Sequence, residues 1–202
     1  MFRQGGGLAR SAPTVFGQTM IVIKLGGSLS VAGTLANCLD TIDRKFAGRE
    51  VVVVPGGGLF ADQVRLAQRQ WRFDDVTAHR MALLAMQQMA LLFNGLKPRW
   101  PIIGRIADLQ NKTGTHIWSP DPNELDQAGV AASWDVTSDS LAAWLAGQLS
   151  AEELILVKSA AIEAGESPTE LANRQIVDKA FCDYAADARF KITIINQHTL
   201  NG

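Results

Sequence analysis

The chain has 202 residues, a formal net charge of -1, and 47% hydrophobic against 19% charged residues. That length suits one domain with a full core, and the near-neutral balance provides no basic field for nucleic acid or a membrane surface. No apolar run approaches the roughly 18 residues of a membrane span. Cys38 and Cys182 lie far apart on predicted helices without metal-like spacing. They read as buried or inert thiols rather than a disulfide, and the cytoplasm is the expected compartment.

Residues 1–19 carry Gly5-Gly6-Gly7, no acidic residue and no helical or strand period. They lack the pattern of a secretory signal, and read as a disordered or non-native leader with Met20 as the natural start. From there strand and helix alternate, which predicts a parallel sheet covered on both faces. A strand over 20–25 precedes a helix over about 30–47, ended by Gly48. A second strand over 50–54 leads into a helix over about 59–70, opened by Gly58. Asp74 and Asp75 begin a long helix to about Asn94, where Gly95 can cap it. Its methionines and leucines (Met81, Leu83, Leu84, Met86, Met89) are those of a packed face. Trp100–Ile103 and Ile117–Pro120 read as short extended pieces, 106–109 as a connector or helix turn, and Asp121–Gly129 as a loop. Ser138–Leu149 is a helix with Leu141, Trp144, Leu145 and Leu149 on one face, followed by a buried strand over 154–157. Residues 170–172 and 177–186 read as helical, and 191–195 as a final strand. No repeat or linker divides 20–202, so a single domain is expected.

Two of the predicted strands end in glycine turns: Ile21-Val22-Ile23-Lys24-Leu25-Gly26-Gly27-Ser28 and Val51-Val52-Val53-Val54-Pro55-Gly56-Gly57-Gly58. In an open α/β sheet, ligands sit outside the carboxyl ends of the strands. Glycine lets backbone approach a phosphate, and the following helix offers unpaired N–H groups to it. Either turn alone is no more than a strand-to-helix connection; two in succession can form one cradle. Neither has the Walker or the dinucleotide-binding spacing. Lys24 interrupts an apolar strand, where a buried cation is costly unless paired; it either snorkels to solvent or reaches a transferring phosphate.

Lys24-Leu25-Gly26-Gly27-Ser28, Pro55-Gly56-Gly57-Gly58 and Thr137-Ser138-Asp139-Ser140-Leu141-Ala142-Ala143 together resemble the amino acid kinase superfamily. Asp75-Val76-Thr77-Ala78-His79-Arg80-Met81 and Trp134-Asp135-Val136-Thr137 are similar to its small aminomethylfuran-phosphate kinases, which serve methanofuran-type cofactor synthesis. The resemblance implies a three-layer α/β/α sandwich with a mainly parallel sheet, like carbamate kinase. It also implies ATP and Mg²⁺ as cofactors, phosphorylation of a phosphate monoester to a diphosphate, and a homo-oligomer, dimeric or larger.

Carried over by resemblance, Lys24, Asp139 and Lys158 are the catalytic candidates. Gly26, Gly27, Ser28, Thr137, Ser138 and Ser159 would hold the nucleotide phosphates. Gly56, Gly57, Gly58, His79 and Arg105 would hold the acceptor, with Arg99 and Arg65 as other anion-binding arginines. Ser28 also fits a plain N-cap, and Ser138 the N-cap of the helix it opens. Asp139 fits a Mg²⁺ or lysine partner, or an acid facing the helix dipole. Trp118 and Trp134 could stack on a flat acceptor or pack in the core. The chain departs from its relatives after the strand over 154–157: Ser159 stands where an aspartate is expected, Lys179 is a weak candidate for the usual second lysine, and the C-terminal nucleotide half is abbreviated. A carboxylate-phosphorylating kinase and a non-catalytic nucleotide- or oxyanion-binding relative are the alternative readings.

Overall fold

Valine- and isoleucine-rich runs, branched at Cβ and apolar on both sides, are suited to strands covered on both faces. In the computed structural model, which describes residues 20–31, 33–110, 112–163 and 165–201, six of them pair into a sheet. They are β1 (Met20–Leu25), β2 (Glu50–Pro55), β3 (Ile102–Ile103), β4 (Thr115–Trp118), β5 (Glu153–Lys158) and β6 (Lys191–Asn196), in the order β3-β4-β2-β1-β5-β6. Every pairing is parallel. The α/β class expected from the strand–helix alternation is the one observed. The leader expected over residues 1–19 lies outside the described residues.

Side-chain alternation along the strands builds two cores. Met20, Val22, Val52, Val54, Leu154 and Leu156 face α7 (Ser138–Gln148) and the first half of α4 (Asp75–Leu96), meeting Leu83, Met86, Leu141 and Leu145. Ile21, Ile23, Val51, Val53, Ile155 and Val157 face the other way, onto Leu39 and Ile42 of α2 (Leu35–Lys45) and Leu200 of α10 (Gln197–Asn201). The result is helix, sheet and helix in three layers. Fully burying one such side chain stabilises by about 1.5–3 kcal/mol. No described helix is long and apolar enough to cross a membrane.

Several boundaries differ from the sequence reading, each for a local reason. The first helix is two pieces, α1 (Ser28–Val31) and α2, with Gly33 at φ +68° between them. The stretch read as a loop after β4 contains α6 (Pro122–Gln127), started by Asp121, whose side chain accepts from Asn123 N, and by Pro122 in the first turn. Gly95 does not cap α4, which runs on to Leu96 and closes with Lys97 N donating to Phe93 O at 2.8 Å. Of the helix read over 177–186, only α9 (Phe181–Ala185) forms, after α8 (Pro168–Asn173). Cys38 is buried in α2, Cys182 lies half-buried in α9, and both are free thiols.

Candidate active site

Strand parity decides where Lys24 and Lys158 point. Lys24 follows Val22 by two residues and Lys158 follows Leu156 by two, so both project to the α7 side of the sheet. Lys24 pairs in register with Leu156 on the adjacent strand, which leaves Lys158 two residues further along. Both lysines are buried, with 3% and 8% of their surface exposed, so neither snorkels to solvent. The carboxylate that compensates them enters from the first turn of α7: Asp139 Oδ1 lies 2.7 Å from Lys24 Nζ and Oδ2 lies 2.5 Å from Lys158 Nζ. The Lys24 contact is an ion pair without hydrogen-bond alignment. Of the roles open to Asp139 in the sequence, the structure gives it that of a lysine partner.

The electrostatics follow from this packing. Burial alone would raise the Asp139 carboxyl, but the charges of Lys158 and Lys24 hold it well below its ordinary range. Lys158 is pushed down to about 8, first by burial and further by the Lys24 charge, with Asp139 offsetting part of the fall. Lys24, Lys158 and Asp139 together carry one net positive charge, the sign that a phosphoryl group requires, and the nearby Asp178 carboxylate also acts on Lys158.

The two glycine turns interlock beside this cluster. A Cβ on Gly27 would stand 2.5 Å from Gly58 N, and one on Gly56 would stand 2.6 Å from Gly27 N. Gly58, at φ +53°, opens α3 (Gly58–Trp71), whose N-cap Gly57 provides no side chain to close the helix end. That end therefore keeps backbone N–H groups available to an anion. Gly26 differs from the sequence expectation: its N–H is donated to Val157 O at 3.0 Å and joins β1 to β5. Gly56 likewise donates to Leu25 O at 2.9 Å. Ser28 is no cap either; its hydroxyl meets that of Ser159 at 2.7 Å, tying the first turn to the loop after β5.

A cavity of about 460 Å³ opens between these turns, α3, α4 and the start of α7. Gly27, Ser28, Gly57, Gly58, Thr137 and Ser138 border it on the side of the lysines. Ala82, Leu83, Met86, Val136 and Leu141 make it largely apolar, and His79, Asp62, Arg65 and Trp134 complete the wall. His79 donates Nδ1–H to Ser133 O at 3.1 Å, and burial lowers its pKa, so at neutral pH it is uncharged with Nε2 free to accept. The Arg65 guanidinium lies 3.8 Å from the centre of the Trp134 ring, and Trp134 Nε1 donates to Gln68 Oε1 at 2.6 Å. Trp118, by contrast, is core, with its Nε1 donating to Gly104 O.

Four expectations are not met in space. Arg105 is on the surface at the start of α5 (Ile106–Leu109), 3.6 Å from Asp108, and takes no part in the cavity; Arg65 is the arginine there. Arg99 pairs with Asp43, and Lys179 is exposed on Asp135, so the second buried lysine is Lys158. Ser138 does not cap α7. Thr137 is the N-cap residue, and the acceptor comes from 41 residues away: Asp178 Oδ2 accepts from Thr137 N at 3.0 Å, Thr137 Oγ1 at 2.8 Å and Ser140 N at 3.0 Å, while Oδ1 accepts from Ser140 Oγ. Asp178 N in turn donates to Asp139 Oδ2 at 3.3 Å. Sequence reasoning missed Asp178. The one available signal was negative, since position N3 of α7 is Ser140 rather than Glu or Gln and no capping box can close locally.

A sequence profile of the amino acid kinase family matches residues 19–161. The chain belongs to that family. Its parallel α/β fold is the family's. A curated relative, [5-(aminomethyl)furan-3-yl]methyl phosphate kinase of Methanocaldococcus jannaschii, is 26% identical over 140 residues, spanning 68% of this chain. The match covers 64% of that relative's length. Among solved structures, uridylate kinase from Archaeoglobus fulgidus superposes with a TM-score of 0.67 at 15% identity, over 91% of this chain and 96% of the other. Aspartate kinase from Synechocystis gives 0.63 at 12% identity, over 89% of this chain and 38% of the other. At such identities the structural likeness carries the fold.

Proposed function

We propose that the protein is an ATP-dependent kinase that phosphorylates a phosphate monoester, of the aminomethylfuran-methyl phosphate kind, to a diphosphate. The observation that carries this reading is the buried Lys24–Asp139–Lys158 cluster beside two interlocked glycine turns and a mainly apolar cavity. The residues fit a nucleotide's phosphates, because the Gly27 and Gly58 turns pack too closely to admit a Cβ, the N-terminus of α3 keeps backbone N–H groups available, and the cluster supplies positive charge. Among the described residues, no group of three or more His, Cys, Asp or Glu side chains could hold a metal, so in this reading Mg²⁺ travels on the nucleotide. ATP supplies the phosphoryl group and Mg²⁺ neutralises part of its charge.

The chain's own residues position and neutralise. Lys24 and Lys158 face the oxygens on which charge redistributes, and Asp139 fixes the separation between them. Gly57, Gly58 and the start of α3 hold the acceptor, while Gly27, Ser28, Thr137 and Ser138 border the nucleotide side. An acceptor phosphate is already anionic at neutral pH, so no strong general base is needed. An acceptor oxygen bonds to the γ-phosphorus as the bond to the β-phosphate oxygen breaks, and ADP leaves with that electron pair. The absence of an aspartate at Ser159 does not weaken this arrangement, since Asp139 already orients both lysines.

Leu59, Leu66 and Trp71 of α3 and Val76, Leu84 and Leu91 of α4 are exposed apolar side chains, and they support assembly into a homo-oligomer through these helices. The cytoplasm is the compartment we assign. The test is ADP release with Mg²⁺–ATP against a panel of phosphorylated and carboxylated acceptors, in the wild type and in Lys24→Ala. Turnover of phosphate monoesters, lost in the variant while its circular dichroism is unchanged, is the expected result. Turnover of carboxylates alone, or ATP binding with no turnover of any acceptor, overturns the reading.

A further inference from the structure

Arg65 brings a guanidinium to the cavity wall with its N–H edge unengaged. Among the described residues it makes no hydrogen bond and no ion pair, and Asp62, earlier on α3, acts on it only through space. What fixes it is aromatic: its Cζ stands 3.8 Å from the centre of the Trp134 ring. A guanidinium stacked by its face keeps its N–H donors at the edge of the plane, where a phosphate takes two at once. The ring beneath it is itself held. Trp134 Nε1 donates to Gln68 Oε1 at 2.6 Å, and Gln68 Nε2 donates to Asp75 Oδ1 at 2.9 Å and to Phe73 O at 3.2 Å. The indole is thereby tied to α3 and to the start of α4. The backbone on either side is pinned as well: Ser133 O accepts from His79 Nδ1 at 3.1 Å, and Asp135 O accepts from Ala180 N at 3.0 Å. From there the chain runs through Val136 into Thr137 and the first turn of α7. One segment therefore carries both the platform under Arg65 and the carboxylate between the two buried lysines.

We infer that Trp134 is a positioning residue for acceptor binding, acting through Arg65: it sets that guanidinium in a fixed place relative to the Lys24–Asp139–Lys158 cluster, where it takes the acceptor's phosphate. A free arginine side chain gives up rotamer freedom when it binds, whereas one already stacked has given up much of it beforehand. Gly57, Gly58 and Arg65 border one cavity, so the helix end and the guanidinium serve the same anion. This rests on the phosphate-acceptor reading above and adds the pair of side chains that seats the acceptor for in-line transfer.

The test is a double-mutant cycle on the full chain, read as calorimetric affinity for [5-(aminomethyl)furan-3-yl]methyl phosphate without ATP or Mg²⁺. Circular dichroism establishes that each variant is folded. Trp134→Leu keeps apolar bulk in the wall but has no aromatic face, and Trp134→Phe keeps the face. Arg65→Ala should weaken binding about tenfold, and Trp134→Leu about fivefold. Added to Arg65→Ala, Trp134→Leu should cost no more than about twofold further, because its effect passes through the arginine. Trp134→Phe should restore affinity to within about twofold of the wild type. An equal loss from Trp134→Leu with and without Arg65 makes the indole mere wall, and overturns the inference while the phosphate-acceptor reading stands. Wild-type affinity in Arg65→Ala, or a Phe variant as weak as the Leu variant, overturns it in the same way. Failure of the wild type to bind the probe removes both readings together.

Discussion

Asp178→Ala removes a single carboxylate on which the start of α7 depends. Asp178 accepts from two backbone N–H groups and two hydroxyls, those of Thr137 and Ser140. The hydroxyls can turn to other partners, but the N–H groups cannot, and Ser140 is wholly buried. Losing a helix cap costs about 1 kcal/mol. A buried N–H left without a partner costs about 1–3 kcal/mol more. The expected loss is therefore about 3 kcal/mol, or about 6–12 °C of melting temperature for a chain of this size. Asp178→Asn keeps one oxygen for the two N–H groups and should lose about 1 kcal/mol. Asp178→Ala keeps the backbone N–H that donates to Asp139 Oδ2, but it loosens the first turn of α7 that carries Asp139, so kcat should fall at temperatures where the variant remains folded, with less effect on the KM for ATP. Urea titration of the three proteins, followed by steady-state kinetics, checks both parts. The reasoning is refuted if Asp178→Ala stays within about 0.5 kcal/mol of the wild type, the ordinary range of a surface change, or if the Asn variant is as damaged as the Ala variant.

The folded-state Lys158 pKa of about 8 lies below its ordinary 10.5, so the folded protein binds fewer protons between those values; stability should rise with pH across that window while kcat/KM falls above about pH 8. Lys158→Arg should move the alkaline fall in kcat/KM upward by more than about one pH unit, since a guanidinium keeps its charge. Asp139 behaves in the opposite sense: its folded pKa lies below 3.8, so its stabilisation is complete above that value and is lost as acid unfolding is followed downward; Asp139→Asn should remove this part of the acid transition. Gly27→Ala places a Cβ 2.5 Å from Gly58 N, and the backbone shift should cost about 3 kcal/mol in a melting experiment. Arg65→Ala should raise the acceptor KM about tenfold, whereas Arg105→Ala, far from the cavity, should leave it within about twofold.

What was legible in the sequence follows from how local each signal is. Lys24 stood out because a cation inside an apolar strand needs a reason, and a reason within one strand can be read from its neighbours alone. The α/β class came from the alternation of apolar runs and helical periods, which is also local. The pairing of Lys24 and Lys158 through Asp139 was only half legible. Each residue was a candidate, but their meeting depends on the β1–β5 register and on α7 crossing the same face. Asp178 was not legible, because its contacts span 38 to 41 residues and it lies in a stretch whose apolar content reads as helix. Arg65 was recoverable in principle. Gly58, Ala61, Asp62 and Arg65 follow one another at intervals of three, one and three, which sets all four on the helix face that begins at the glycine turn. Arg105 has no such phase relation to either turn. Choosing between the two arginines therefore needed the helical wheel continued from the turn, and the same wheel sets Asp62 on the cavity wall one turn from Gly58.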